Sequence, residues 1–269
     1  MDASLVPILL ALGAAIGFLA GLLGIGGGLT LIPVLTFIFT TQHFTEDHIV
    51  HMAVATATAT MVFTALSSVR AHHRQKAVLW PIVYAMAPGI VIGSLIGPQL
   101  ASALPTRAFA AVFGLFVWFS ATRMLLIASK PQPGRELPSR LPLFGVGAGI
   151  GVISSLLGAG GAFISVPYLG RRNVRMQSAV ATSAALGLPI AVAGTIGFIV
   201  AGLRQTDLPR WSAGYVYLPA MAAIVVASML CAPLGAHFAH RWPPVKLRRA
   251  FAVLLYTLGA YMLVKAVRG

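Results

Sequence analysis

The stretch GLLGIGGGLTLIPVL, residues 21–35, places five glycines and a proline inside a long apolar run. Glycine and proline are the residues that the interior of an α-helix tolerates least. The stretch therefore predicts a helix that stops at the glycines and starts again after them. A second stretch with the same pattern, SLLGAGGAFISVPYL, occupies residues 155–169.

The composition of the chain indicates a membrane protein. Of its 269 residues, 58% are hydrophobic and only 9% are charged, and the mean hydropathy is +0.89. A helix needs about 20 apolar residues to cross a bilayer, and apolar runs of this kind follow one another along the whole chain. No segment alternates polar and apolar residues as the strands of a membrane barrel do. We therefore predict an all-α polytopic protein surrounded by the lipid bilayer.

The net charge of +14 could suggest a nucleic-acid partner. The Lys and Arg residues, however, lie in short clusters between apolar runs rather than along one face. This distribution is typical of loops that face the cytoplasm. A nucleic-acid partner is therefore not expected.

The two halves of the chain repeat each other. Residues 13–35 and 147–169 are identical at 11 of 23 aligned positions. The string AVAT at 53–56 recurs at 179–182, and RAF at 107–109 recurs at 249–251. We predict a first repeat at 1–130, a Pro-rich cytoplasmic linker at 131–140 and a second repeat at 141–269.

The distribution of positive charge predicts the topology. If the glycine-rich segments crossed the membrane once, the basic residues would divide almost evenly between the two sides. If each segment instead turns back at its glycines, only Arg107, Arg204, Arg210, Lys265 and Arg268 face outwards. The cytoplasmic side then carries Arg70, Arg74, Lys76, Lys130, Arg135, Arg140, Arg171, Arg172, Arg175, Arg241, Lys246, Arg248 and Arg249. The excess of positive charge on cytoplasmic loops favours the second arrangement.

Each repeat is accordingly predicted to be a broken, re-entrant helix hairpin followed by three transmembrane helices. Three crossings is an odd number, so the two repeats would insert in opposite directions. Inverted repeats of this kind are typical of secondary transporters. In the first repeat, residues 27–41 could almost span the membrane, so a fully spanning hairpin remains an alternative there.

A helix that restarts inside the membrane predicts an anion site. Its first N–H groups have no partner within the helix and carry the positive end of the helix dipole. Glycine allows a ligand to approach this backbone closely. The candidate binding residues are Gly24, Gly26, Gly27, Gly28, Gly158, Gly160 and Gly161. The alternative is that the glycines only allow helices to pack closely.

Hydroxyl groups on two of the predicted helices could add donors to such a site. The candidates are Thr56 and Thr60 in the first repeat, and Thr182 and Ser183 in the second. Alternatively, these groups form hydrogen bonds between helices. Arg123, which lies inside an apolar run, is either functional or reaches towards the membrane surface. His48 and His51 have the spacing of metal ligands, but no further ligand is evident, so no metal is predicted.

The sequence argues against catalysis and against coupling through a buried carboxylate. All five acidic residues lie in predicted loops or at the terminus: Asp2, Glu46, Asp47, Glu136 and Asp207. No paired acids, His cluster or Ser–His arrangement at one depth indicates an intramembrane enzyme, and no cofactor or catalytic residue is predicted. The inside-negative potential alone would expel an anion, at roughly 2.3 kcal/mol per charge per 100 mV. An anion channel with the same site remains the alternative.

The paired glycine motifs, the AVAT strings and the basic segment before VLW at 78–80 resemble the TauE/SafE-type sulfite exporter family. The resemblance covers nearly the whole chain. It implies a carrier in the bacterial cytoplasmic (inner) membrane. Its expected substrates are small sulfur-containing anions such as sulfite, thiosulfate or sulfonates, and it would most often export them.

Overall fold

The computed structural model describes residues 5–23, 28–126, 138–239 and 244–268. These residues form an almost entirely helical structure. The helices are α1 (Leu5–Leu23), α2 (Gly28–Thr41), α3 (Ile49–Arg74), α4 (Trp80–Ser102), α5 (Thr106–Leu126), α6 (Arg140–Leu156), α7 (Ala162–Gly170), α8 (Met176–Gly202), α9 (Leu218–Ala239) and α10 (Pro244–Arg268). A short 3₁₀ turn (Glu46–His48) precedes α3, and two short strands, β1 (Ser212–Ala213) and β2 (Val216–Tyr217), precede α9.

The second glycine-rich stretch interrupts the helix as the sequence predicts. Helix α6 ends at Leu156, and α7 begins at Ala162 after Gly158 and Gly161, whose φ angles are 57° and 72°. Positive φ is a conformation that glycine adopts at little cost. In the first repeat α2 begins at Gly28, and residues 24–27 lie outside the described part of the chain.

The described helices differ widely in length. By length and composition, three described helices can cross a membrane: Glu46–Arg74, Trp80–Ser102 and Gln177–Gly202. Helix α7 has 9 residues and α2 has 14, which correspond to about 14 Å and 21 Å. Both are shorter than the hydrocarbon core of about 30 Å. The fold is thus that of an all-α, multi-pass membrane protein.

Contacts along the helices fix their relative directions. Helix α6 runs parallel to α4, since Gly147 approaches Met86 and Gly151 approaches Ile90. Helix α8 also runs parallel to α4. Its Thr182 contacts Leu79, just before α4 begins, and the carbonyl of Gly197 accepts a bond from Gln99 near the end of α4. Because α6 and α8 run in the same direction, α7 carries the chain back between them.

A parallel pair of helices also packs beside the first glycine-rich stretch. Helix α1 runs parallel to α9, with Gly13 against Ile224 and Gly17 against Ser228. Helices α3 and α8 cross in opposite directions at the centre of the molecule. Near one end of the molecule His51 of α3 stacks on Tyr215, which follows α8, and midway Gly194 of α8 lies against Thr58 of α3.

The helix directions bring two described basic loops, 75–79 and 170–175, to the same end of the molecule, which we call the basic end. Val174 and Leu79 pack against the same apolar cluster there, so the loops at 75–79 and 170–175 lie side by side. The described basic residues in or next to these loops are Arg70, Arg74, Lys76, Arg171, Arg172 and Arg175. The described acidic residues lie at the opposite end, where Thr45 donates to the Asp207 carbonyl and Thr106 donates to the Asp47 carbonyl.

The strand pair before α9 was not predicted, because the sequence was expected to form helices only. Trp211 and Gly214 have φ angles of 70° and 54°. The chain reverses at Gly214 and Tyr215, so that Ser212 pairs with Tyr217 in an antiparallel register. Helix α9 therefore begins only at Leu218. Most of the predicted linker at 131–140 lies outside the described residues.

Cysteine labelling can test these directions, because Cys231 is the only cysteine and can be replaced by alanine. We expect Gln75→Cys and Gly170→Cys to share one side of the membrane, and Thr206→Cys to lie on the other. An impermeant thiol reagent added to intact cells should label Thr206→Cys alone, since the basic end is predicted to face the cytoplasm. Labelling of Gly170→Cys without Gln75→Cys would contradict the return of the chain through α7.

Candidate functional site

The two glycine-rich breaks meet in the interior of the protein. A Cβ atom on Gly28, at the start of α2, would overlap the carbonyl oxygen of Gly158 and would lie 2.8 Å from the Met61 sulfur. A Cβ atom on Gly160 would lie 3.0 Å from Cε of the same methionine. Met61 is residue 13 of the 26 residues of α3. The breaks therefore converge near the middle of the longest helix of the first repeat.

Most polar groups of the second break have partners within the chain. The N–H groups of Gly158 and Ala159 donate to the carbonyls of Ser155 and Ser154. The carbonyl of Gly161 accepts bonds from the N–H groups of Ile164 and Ser165. By contrast, no described carbonyl accepts a bond from the N–H groups of Gly160, Ala162 or Phe163. With respect to the described part of the chain, the start of α7 therefore presents free donors.

A small cleft, with an interior of about 10 Å³ that could hold roughly one water molecule, reaches Gly28 at the start of α2. It is lined by Ile16, Gly17, Gly28, Leu31, Ala57, Thr60, Met61, Thr64 and Ser228. Burial along α3 changes at the same level. Every residue from Ile49 to Met61 is buried, whereas none from Val62 to Arg74 is. The looser half of α3 is thus the half nearer the basic end.

The two AVAT threonines make equivalent bonds. The hydroxyl oxygen of Thr56 accepts a bond of 3.0 Å from the N–H of Tyr217, the residue before α9. The hydroxyl oxygen of Thr182 accepts a bond of 3.0 Å from the N–H of Leu79, the residue before α4. Each threonine therefore anchors the start of a helix from the other half. Both hydroxyls keep a proton that they can donate.

The other predicted hydroxyls lie closer to the breaks. Thr60 lines the cleft, and its hydroxyl donates to the Thr56 carbonyl at 2.9 Å. Ser183 lies 2.5 Å from the hydroxyl of Ser165, which in turn donates to the Gly161 carbonyl at 2.9 Å. Because Ser165 uses its proton on that carbonyl, Ser183 is the donor in the serine pair. This chain of bonds fixes α7 to α8.

Of the predicted glycines, Gly28, Gly158, Gly160 and Gly161 come together in this region. Gly24, Gly26 and Gly27 lie outside the described residues. The sequence interpretation missed Met61 and Ser154, which also lie here. A comparison of the two repeats could have pointed to Ser154, because the equivalent residue of the first repeat is Ala20, which has no hydroxyl.

Two weaker candidates lie away from the breaks. Arg123 is in the last turn of α5, with its guanidinium 5.8 Å from the ring centre of Phe119. His51 is buried, and its Nε2 lies 3.0 Å from the Ala101 carbonyl and 3.1 Å from that of Leu104, at the end of α4. Among the described residues, no three His, Cys, Asp or Glu side chains converge as a metal site would require.

Comparisons with known proteins agree with the architecture. The family model described as "Sulfite exporter TauE/SafE" matches residues 9–262. A "Probable membrane transporter protein" of Haemophilus influenzae is 34% identical over 258 residues, which cover 95% of this chain and 97% of that protein. The "Probable inner membrane transporter protein TsaS" of Comamonas testosteroni is 29% identical over 68% of this chain and 71% of its own length. No solved structure matches the chain significantly.

Valine substitutions can separate anchoring from anion binding at the AVAT threonines. Thr56→Val and Thr182→Val each leave a backbone N–H without its partner, which costs about 1–3 kcal/mol when the group is buried. We expect both variants to unfold at lower temperature in detergent. Thr195→Val is the control, because its hydroxyl bonds only to Ala191 in the same helix, and that carbonyl keeps its helical bond. Unchanged stability together with weaker anion binding would contradict the anchoring role.

Proposed function

Because the chain belongs to the sulfite exporter TauE/SafE family, we propose that it carries small sulfur-containing oxyanions across the bacterial inner membrane. The prediction of a membrane transporter rather than an enzyme is confirmed by the family and by the names of the relatives. The inner membrane is the location that the name of the Comamonas relative gives for that protein. Sulfite, thiosulfate and sulfonates are the proposed substrates.

The observation that carries the proposal is the convergence of the two glycine-rich breaks. We propose that the anion binds between Gly28 and the start of α7, on free backbone N–H groups. Unpaired N–H groups at a helix start favour an anion through their hydrogen bonds and through the helix dipole. Thr60 and Ser183 lie beside the two breaks, but each would have to give up its present bond, to the Thr56 carbonyl or to Ser165, before it could donate to the anion. Thr56 and Thr182 remain candidate donors, because each hydroxyl accepts a bond and keeps a proton that it can donate.

The proposed architecture is a pair of inverted repeats. It is supported by the packing of equivalent helices, since α1 on α9 corresponds to α6 on α4, and α2 on α3 corresponds to α7 on α8. The opposite directions of α3 and α8 support it as well. In such transporters the substrate lies near the bilayer midplane, where discontinuous helices meet. The two repeats would then rock around the anion to expose it to each side in turn.

Export is the direction that the charge and burial favour. The basic end is the cytoplasmic end by the positive-inside rule, and the looser half of α3 leads from this end to Met61. A cytoplasmic anion would therefore reach the breaks without opening the tightly packed half of α3. The inside-negative potential would then drive it outwards. An anion channel using the same path is the second candidate, because the cleft alone does not distinguish it from a carrier.

Flux measurements in proteoliposomes test the proposed substrates. We expect radiolabelled sulfite, thiosulfate or a sulfonate to enter vesicles at a rate that saturates with concentration. Counter-transport, in which unlabelled anion inside the vesicle speeds labelled uptake, is expected of a carrier. An ohmic current without counter-transport would instead indicate a channel. Absence of flux for all three anions in correctly inserted protein would contradict the proposed substrates.

A single methyl group can test the proposed site. The added Cβ of Gly160→Ala would contact only the flexible end of the Met61 side chain, so the fold should accommodate it. The added methyl would obstruct the N–H groups at the start of α7, and we expect anion affinity to fall by roughly tenfold or more. Gly149→Ala on α6 is the matched control, because nothing lies within 4 Å of the added atom. Equal affinities for the two variants, measured by calorimetry in detergent, would count against the site.

A further inference from the structure

We infer that the hydroxyl of Ser154 is a donor to the bound anion, an inference that rests on the proposed function. Ser154 lies on α6, one turn before the second break, and is 1% exposed. Its hydroxyl has no hydrogen-bond partner among the described residues. A buried hydroxyl without a partner is costly, so a native structure that retains one needs a reason for it.

The position of the hydroxyl supplies the reason. Oγ of Ser154 lies 3.6 Å from the Cβ position of Gly161, the residue that immediately precedes α7. The neighbouring side chains at Gly161 belong to Ile150 and Ile190, which can neither donate nor accept a hydrogen bond. The hydroxyl therefore lies near the residue that precedes α7, in apolar surroundings. An oxyanion held at the start of α7 would supply the acceptor that the protein does not provide.

The adjacent serine, Ser155, provides the contrast. Its hydroxyl donates to the Val152 carbonyl at 3.3 Å, and its side chain packs against Gly97 and Gly194 on the other face of α6. The nearby pair of Ser165 and Ser183 is likewise satisfied within the protein. Among the described hydroxyls at the second break, Ser154 is the one whose proton is free.

The test compares Ser154→Ala with Ser155→Ala in the full-length protein. Without ligand, Ser154→Ala should unfold at the same temperature as the parent protein or higher, because it removes an unpaired buried hydroxyl. Its Kd for sulfite should nevertheless rise roughly ten- to hundredfold, the range expected for a hydrogen bond to a charged group. Ser155→Ala should bind sulfite with the affinity of the parent protein.

The outcomes distinguish this inference from the proposed function. If the parent protein and Ser155→Ala bind sulfite and Ser154→Ala binds it equally well, the role of Ser154 is wrong while the site survives. If Ser154→Ala loses stability and affinity together, the hydroxyl is structural and the inference is wrong. If the parent protein binds neither sulfite, thiosulfate nor methanesulfonate, the proposed function and this inference fall together.

We further propose that the site takes singly charged oxyanions in preference to doubly charged ones, so that among the proposed substrates thiosulfate, a dianion, should bind more weakly than hydrogensulfite or a sulfonate. The segments that form it, residues 5–45, 49–69, 141–170 and 176–203, contain no Asp, Glu, Lys or Arg. Neutral donors can solvate one negative charge. The cost of moving an ion out of water, however, grows with the square of its charge, and no cation in these segments offsets the second charge.

Sulfite distinguishes the two charge states, because hydrogensulfite loses its proton near neutral pH to give a dianion. Methanesulfonate stays singly charged throughout. Calorimetric titrations from about pH 6 to pH 8.5 should show the affinity for total sulfite falling about tenfold per pH unit above that ionisation. The affinity for methanesulfonate should stay constant over the same range.

Methanesulfonate also controls for titration of the protein itself. His51, His72 and His73 on α3 and Tyr168 on α7 are the titratable uncharged side chains on the helices that form the site. The arginines at or beside the ends of these helices are Arg70, Arg74, Arg140, Arg171, Arg172 and Arg175. A parallel loss of affinity for both anions would mean that such a group is responsible, and would overturn the preference. Constant or rising sulfite affinity with pH would overturn it as well.

Discussion

A backbone N–H or C=O group that leaves a helix inside the membrane finds no water there, so its partner must come from the protein or from a ligand. In the second glycine-rich break, almost all of these backbone groups find their partners within the chain. Carbonyls of α6 accept the N–H groups of Gly158 and Ala159, and Ser165 donates to the Gly161 carbonyl. What remains is a small set of donors at the start of α7. The proposed anion site consists of these unpaired N–H donors.

The rest of the fold serves to enclose that irregular backbone. The long helices α3 and α8 cross at the centre and surround the two breaks with apolar side chains. Thr56 and Thr182 tie each of these helices to the start of a helix in the other half. Small residues allow α1 to lie closely on α9, and α6 on α4. In the proposed mechanism, close packing and ligand access are therefore separate tasks of glycine, carried out by different glycines of the repeated segment.

Much of this arrangement could be predicted from the sequence because it follows from strong local signals. The interruption before Ala162 follows from glycines that adopt positive φ, and the shared side of the basic loops follows from counting charges. The strand pair before α9 could not be predicted, because it depends on the backbone of Trp211 and Gly214 rather than on an apolar pattern. The anchoring bonds of Thr56 and Thr182 were also hidden. A hydroxyl on an apolar helix face gives no sign of which distant N–H it will meet.

The position of Met61 between the breaks could not be predicted from hydrophobic periodicity. In the sequence it is one apolar residue among many on a buried helix, yet its thioether fills the space between Gly28 and Gly160. Methionine is flexible and unbranched, so it can move aside without disturbing the helix that carries it. In the proposed mechanism it is the side chain that an arriving anion would first displace. Its importance comes from the glycines opposite it rather than from its own chemistry.

The account rests on an anion lying where the two breaks meet, and this can be observed directly. Selenite has the shape and charge of sulfite and scatters X-rays anomalously at the selenium edge. In crystals of the protein soaked with selenite, the account predicts one strong anomalous peak between Gly28 and the start of α7. The peak should lie within hydrogen-bonding distance, about 3 Å, of the N–H groups of Gly160 or Ala162 and of the Ser154 hydroxyl. Peaks confined to the arginines of the basic end, with none between the breaks, would contradict it.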